Sequence, residues 1–465
     1  MSLIDFTLIP PFLEPARMGK AIASIVPLSI IDQAITETNS QQERERILPT
    51  STIIFLVMGL NFWSGDSVVD VFKNLVQGLM SELIPQKIRL KIPSSSSISE
   101  ARQRVGAGVM TRLFHLICRV KATKKTPGAF LNGLRLMSLD GSLFDVPDTA
   151  NNARAFGYPG SRPGTRAAFP KARLVLLIES GTHLIVDALI SPYKIGERVR
   201  ARKLLRSVGR GMLLMWDRGL HSYRMVYSAL KQKAHILGRV PANVKFEVLK
   251  TFDDGSYLSW IAPDRKSKKK GATRIKVRVI EYIIEVDGEE ITYRLITDLM
   301  DINKFPALVL AQEYHSRWEV ENTLDELKTH LNGRKTMIRS KNPREVVQEI
   351  YGWLLAHYCV RATMFDAATE KGVSPLRISF TGSLKVIRRA VPLCQENLEP
   401  ELDLSFYSWS LAEIGDLIIP PRQNRSNPRV VKKPRSKFKS AKPKHRGQGT
   451  QRKVLNFQVC YPKAS

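Results

Sequence analysis

The sequence predicts an α/β fold: a mixed sheet flanked by helices and interrupted by a β-rich insertion. A helical domain should precede it, and a basic tail, expected to be disordered, should follow. Three observations carry this reading. Between residues 134 and 240 short apolar runs alternate with helix-like stretches. Between 242 and 300 the alternation gives way to period-two patterning around Asp254-Gly255 and Asp287-Gly288, two hairpin-turn dipeptides. From Pro421 to Ser465 there are 14 Lys/Arg and no Asp/Glu, set among Pro, Ser and Gly.

Length and charge set the class. A chain of 465 residues holds roughly three domains' worth of sequence. A net charge of +29 points to a polyanionic partner. The four cysteines, Cys118, Cys359, Cys394 and Cys460, are scattered with no CxxC and read as reduced core thiols. The start MSLIDFTLIPPFLE lacks the pattern of a signal peptide, and the longest apolar stretch, 53–60, is too short to span a bilayer. The expected polyanion is therefore nucleic acid, with no membrane.

Residues 1–125 read mostly helical, with apolar helical spacing in 19–31 and 52–75. In SSSSISEARQRVG, Ser97 and Glu100 fit a capping box that starts a helix near Ile98. That helix would carry Arg102 and Arg104 and could enter a DNA groove; the ordinary alternative is a capped surface helix. LRLMSLD is a strand ending at Asp140. Residues 141–170 read as a long structureless loop whose Arg162 and Arg166, with Arg154, Lys171 and Arg173 nearby, would grip a nucleic-acid strand. Two strands at 173–180 and 182–190 form a hairpin at Gly181. A helix at 196–208, a buried strand MLLMW ending at Asp217, a helix at 222–233 and a strand at 235–240 complete a β-β-β-α-β-α-β series. Asn342-Pro343 opens a later helix that runs to about Ala367 and packs His357 inside.

The chemistry concentrates around residue 320. If EYHSRWEVENTLDELKTHL is one helix, Tyr314, Arg317, Glu321 and Lys328 fall at about 0°, 300°, 340° and 320°, on one stripe. A solvated helix face is the ordinary meaning of such spacing. Here, however, Asp140 and Asp217 each terminate an apolar strand, the first and fourth of the series. In a sheet where those strands are neighbours, both carboxylates emerge at one edge, and a helix bearing Glu321 could cross it. Three carboxylates with hard oxygen donors suit two Mg²⁺ ions about 4 Å apart, with Mn²⁺ able to substitute. Asp145 and Asp148 compete with Asp140 but lie past Gly141-Ser142.

These residues carry a resemblance. The chain resembles a DDE transposase of the insertion sequence four family, whose Tyr-x2-Arg-x3-Glu-x6-Lys signature Tyr314, Arg317, Glu321 and Lys328 match at every position. LDGSLFDVPDT around Asp140 and LLMWDRGLHSY around Asp217 are similar to the family's first two motifs, and the likeness covers roughly residues 10–370. It implies a ribonuclease-H-like core interrupted by a β-insert, with domains at 1–125 (end binding), 126–375 (catalytic, insertion at 242–300), 376–420 (helical) and 421–465 (tail). It implies that Asp140, Asp217 and Glu321 bind metal, and that Tyr314, Arg317 and Lys328 hold phosphate and backbone. Arg218 is a further candidate backbone contact. Trp260, the one tryptophan in 242–300, is the candidate for stacking a flipped base, its alternative being ordinary packing.

The resemblance further implies cut-and-paste movement by a homodimer that pairs two transposon ends and joins them to target double-stranded DNA. A cytoplasmic, nucleoid-associated place in a bacterium or archaeon goes with it. Two other readings stay open on the sequence: a structure-specific nuclease on the same fold, and a non-catalytic DNA-binding descendant of a transposase.

Overall fold

A 28-residue helix that is buried along most of its length, Pro343–Glu370, organises the larger part of the molecule. Asn342 caps it, accepting from the Arg344 N–H at 3.0 Å, and Pro343 takes the first turn, where its missing N–H costs nothing. The computed structural model describes residues 15–42, 48–78, 92–159, 167–286, 289–317, 319–331, 338–396, 400–420, 425–426, 451–452 and 457–459. The chain divides into two units: Met1–His235 with Arg317–Ile419, and Ile236–Ser316 with Pro420–Ser465.

In the first unit the leading segment is helical: α1 (Leu28–Glu37), α2 (Thr50–Phe62), α3 (Val68–Leu75), α4 (Ser95–Val105) and α5 (Gly108–Ile117). The stretch 52–75 is two helices, because Ser67 caps a new one by accepting from the Asp70 N–H at 3.1 Å. α2 is buried nearly all round, so the longest apolar run is a core helix against the long one. No helix among the described residues is long and apolar enough to cross a membrane. α4 begins one turn earlier than its sequence suggests. Ser94, not Ser97, is the cap, since any serine of the run can serve and the earlier one adds a turn. Gly106, at φ 71°, ends it.

Arg102 corrects the groove-reading expectation. It is buried, and its guanidinium donates to Gln348 Oε1 (2.9 Å), Ser340 Oγ (3.0 Å) and the Glu345 carbonyl (3.2 Å), pinning α4 to the long helix. Arg104 is exposed and donates to the Leu48 carbonyl at 3.3 Å.

The sheet of this unit contains β1 (Leu134–Asp145), β2 (Lys171–Glu179), β3 (Leu184–Pro192) and β4 (Met212–Trp216), in the order β3-β2-β1-β4. β1–β2 and β2–β3 are antiparallel and β4 is parallel to β1, with Leu139 beside Trp216. This is the mixed, helix-flanked, ribonuclease-H-like arrangement. β1 does not stop at Asp140. It runs five residues further, pairing Asp140 with Leu176 and Asp145 with Lys171. Nor are residues 141–170 structureless: a helix spans Ala150–Phe156, capped by Thr149. Arg162 and Arg166 lie outside the described residues. Helices α6 (Glu197–Leu204) and α7 (Tyr223–Lys231) follow β3 and β4.

The second unit holds β5 (His235–Arg239), β6 (Tyr257–Ile261), β7 (Ile275–Val286) and β8 (Glu289–Thr297), ordered β5-β8-β7-β6 and antiparallel. Asp254-Gly255 makes the turn before β6, where the Phe252 N–H meets the Ser256 carbonyl at 2.8 Å. Asp287-Gly288 lies outside the described residues, between paired Val286 and Glu289. The tail corrects one expectation: Phe457–Val459, in its one apolar patch, pairs antiparallel with β7 at Ile284–Tyr282. Most of the rest of 421–465 lies outside the described residues.

Two outcomes test this packing. A Cβ at Gly352 would lie 2.8 Å from the Val57 carbonyl oxygen, which cannot move aside. Gly352→Ala should therefore lower stability by about 1–2 kcal/mol, overriding the ~1 kcal/mol helix-propensity gain, as read by calorimetry. Arg102→Ala should lower stability by about 2–3 kcal/mol in urea unfolding, because it strips three buried hydrogen bonds.

Candidate active site

Strand pairing brings two aspartates together. Asp140 follows Leu139 and Asp217 follows Trp216, and those two residues are register partners on neighbouring parallel strands. Asp140 is half-buried, with Oδ1 accepting from the Gly141 N–H at 2.7 Å. Asp217 is half-buried at the head of a turn, with Oδ1 accepting from the Leu220 N–H at 3.1 Å. Burial, then the like charges of Asp217 and Glu197, outweigh Gly141 and Arg317 and push the Asp140 carboxyl up to about 6.

Glu197 is the residue that sequence reasoning missed. It opens α6, where an acid at a helix N-terminus normally needs no further explanation. Its carboxylate lies against Gly141, where an added Cβ would come within 2.8 Å of the Glu197 Cδ. The glycine after Asp140 therefore makes room for a carboxylate; it does not make a turn. Glu197 pairs with Arg173 at 3.3 Å, and burial foremost raises its carboxyl above the usual range. The next residue, Arg198, donates to the Gly219 carbonyl at 2.6 Å and braces the turn after Asp217. No spacing in the sequence links 197–198 to 141 or 219. Only the fold does.

The stretch Tyr314–Lys328 is not one helix. Ala307–Ser316 (α8) belongs to the second unit. The first unit resumes at Arg317, followed by an α-helix Glu319–Asp325 (α9) and a π-helical segment Glu326–Leu331. The single-wheel stripe therefore does not hold. Tyr314 is fully buried in the second unit. Arg317 is buried and interacts electrostatically with Asp140. Glu321 sits on α9, which packs against β1, and its side chain is exposed. Lys328 is half-buried, with Nζ 5.3 Å from the centre of the Phe144 ring. Burial lowers its pKa and Asp140, first among its acidic neighbours, raises it. Arg218 is exposed beside Asp217.

Asp145 is not a free competitor for Asp140, since it pairs with Lys171. Asp148 accepts from the Tyr158 hydroxyl. In the second unit Trp260 is half-buried on β6, opposite Lys276, whose Nζ stands 5.3 Å from the indole centre.

Two half-buried carboxylates, a third acid beside them and two cations acting electrostatically on Asp140 make a cluster of mixed charge in low dielectric. Such a place binds hard cations and phosphate oxygens together. Residues 18–115 match the family described as insertion element 4 transposase N-terminal, and 132–359 match the transposase DDE domain. The chain is 26% identical over 419 residues to the transposase InsG for insertion sequence element IS4 of Escherichia coli K12, covering 89% of this chain and 91% of that one. A solved piggyBac transposase synaptic complex with hairpin DNA is similar over 86% of this chain and 87% of its own, at 10% identity and a TM-score of 0.38.

The raised Asp140 carboxyl has a stability consequence. An acid with a higher pKa folded than unfolded binds more protons when folded, so it costs stability as pH rises from the unfolded value near 4 through about 6. Asp140→Asn should therefore melt about 2–5 °C higher than wild type at pH 7.5 without metal, the gain disappearing near pH 4.

Proposed function

Because the chain belongs to the insertion sequence four family of DDE transposases, we propose that it binds the terminal inverted repeats of its own insertion sequence and catalyses cut-and-paste transposition. The reaction is metal-dependent strand cleavage followed by strand transfer to target DNA. The observation that carries this is that Asp140 and Asp217 directly follow Leu139 and Trp216, register partners on neighbouring parallel strands, with Arg317 and Lys328 acting on Asp140.

The donor set fits a hard divalent cation. Asp140 and Asp217 offer carboxylate oxygens where burial and like charge leave negative charge under-compensated. Among the described residues no three His, Cys, Asp or Glu side chains stand gathered around a metal position. The fit therefore rests on the two aspartates, and Glu321, the third carboxylate of the signature and exposed on α9, would have to swing in to complete the set. Mg²⁺, or Mn²⁺ in its place, would supply as two bound ions an activated attacking oxygen and charge stabilisation at the leaving oxygen.

The chain's own residues do the rest. Arg317, buried and so poorly hydrated, offers a planar fork to phosphate oxygens, and Lys328 a point charge. Arg218, exposed next to Asp217, reaches for the backbone beyond. Arg162 and Arg166 extend that grip, and in the second unit Trp260 stacks a displaced base. A homodimer holds two ends in synapsis, and the charge of +29 draws the protein to nucleoid DNA.

The test is cleavage of duplexes carrying the sequences that flank the gene, with Mg²⁺ against EDTA. Glu321→Ala should cut at least about a hundredfold more slowly while binding the same ends within about threefold. Metal-independent nicking, or full activity in the variant, would sink the assignment.

A further inference from the structure

The helix change beside the site begins at one buried acid. α9 ends at Asp325, and the π-helical segment starts at Glu326. Glu326 is 1% exposed and ringed by three elements. From the long helix, Arg361 pairs with Oε1 and donates through Nε to Oε2 at 2.9 Å, and His357 Nε2 meets Oε2 at 3.1 Å. From the β2–β3 turn, His183 accepts the Arg361 Nη2–H on Nδ1 at 2.8 Å. Phe380 closes the cluster, stacking on His357 at 5.4 Å with the Arg361 guanidinium 5.6 Å from its ring centre.

This network is poorly explained as a stabiliser. A buried ion pair seldom outdoes an apolar replacement, and here Arg361 Nη1 and His357 Nδ1 are buried without a hydrogen-bond partner among the described residues. His183 holds a left-handed backbone, φ 59°, that a non-glycine residue adopts at a cost. Leu324, Leu327 and Leu331 already supply a buried apolar face for the segment. What the network adds is a fixed register, and π-helical turns recur at functional sites. Burial would push the Glu326 carboxyl up, but Arg361, foremost among its partners, holds it well below the usual range.

Lys328 lies two residues on. Side chains at that spacing do not share a helix face, so anchoring Glu326 inward sends Lys328 elsewhere. It goes toward β1, over Phe144 and within electrostatic reach of Asp140. We infer that Glu326, locked by Arg361, His357 and His183, is a positioning residue that sets the π register and thereby holds the Lys328 ammonium over Phe144 on the Asp140 strand for the strand-cleavage step. This rests on the reading of the Asp140–Asp217 site as a transposase centre.

The test has two arms on the full chain. The first needs no DNA: acetylation of Lys328 by a lysine-reactive ester, followed by mass spectrometry against the other lysines. Glu326→Gln should change the Lys328 rate about fivefold or more, and Glu326→Asp, which keeps the charge, by less; an unchanged rate overturns the inference.

The second arm is a double-mutant cycle on cleavage of the flanking-end duplexes. Glu326→Gln should slow single-turnover cleavage about tenfold with end binding within about twofold, and should add no loss in a Lys328→Ala background. Equal losses in both backgrounds would mean a merely structural role and overturn it. Should Glu326→Gln fail to fold, His357→Gln, which alters one hydrogen bond, enters the same cycle with the same criteria. Wild type that never cleaves while the acetylation arm behaves as expected would fail the transposase reading and, with it, the role in cleavage. Wild type that cleaves while Lys328→Ala changes nothing would overturn the inference alone.

Discussion

The helix Pro343–Glu370 is buried along most of its length yet carries Glu345, Gln348, Glu349, His357 and Arg361, and a buried polar group without a partner costs more than most contacts return. Much of the first unit follows from satisfying them. Gln348 fixes α4 through Arg102 and the Gly106 carbonyl. Glu349 accepts from the Arg339 and Ser340 N–H groups at 3.0 and 3.1 Å, holding the strand of chain that enters the helix. Arg361 takes Glu326 and, with it, the segment that presents Lys328. One helix thus ties the leading helical region, the sheet's hairpin turn and the acidic site into a single arrangement.

The site itself is built against electrostatic preference. Asp140, Asp217 and Glu197 are like charges brought together where water is scarce, and the raised carboxyls of Asp140 and Glu197 measure the cost. Rigid neighbours hold them there. Two strands fix the aspartates, α6 carries Glu197 over Gly141, and Arg198 ties the turn after Asp217. The cations Arg317 and Lys328 offset part of the repulsion without neutralising it. A place that is under-compensated by construction favours cationic ligands and, through its own cations, phosphate.

Much of this was legible in the sequence. The strand series at 134–240 reads from apolar runs because buried strands tolerate little else, and the hairpin and the aspartate that follows Trp216 come with it. Misreadings arose where one residue type has two uses. Gly141 reads as the start of a loop and instead continues β1, with Glu197 lying against it. Arg102 looks like a groove reader because arginine is rarely buried, but it is buried, with three partners. The run 314–328 looks like one helix because its spacing is uninterrupted, yet it breaks at Arg317 and changes pitch at Glu326.

The sequence by itself determined the class of the protein: its basic charge, the order of strands and helices, and the signature residues, since these depend on local pattern and composition. Tertiary structure alone decided which acids gather and which face Lys328 takes. Those depend on pairs such as Gly141 with Glu197 and Glu326 with Arg361, tens of residues apart, whose interaction leaves no periodic mark in the chain.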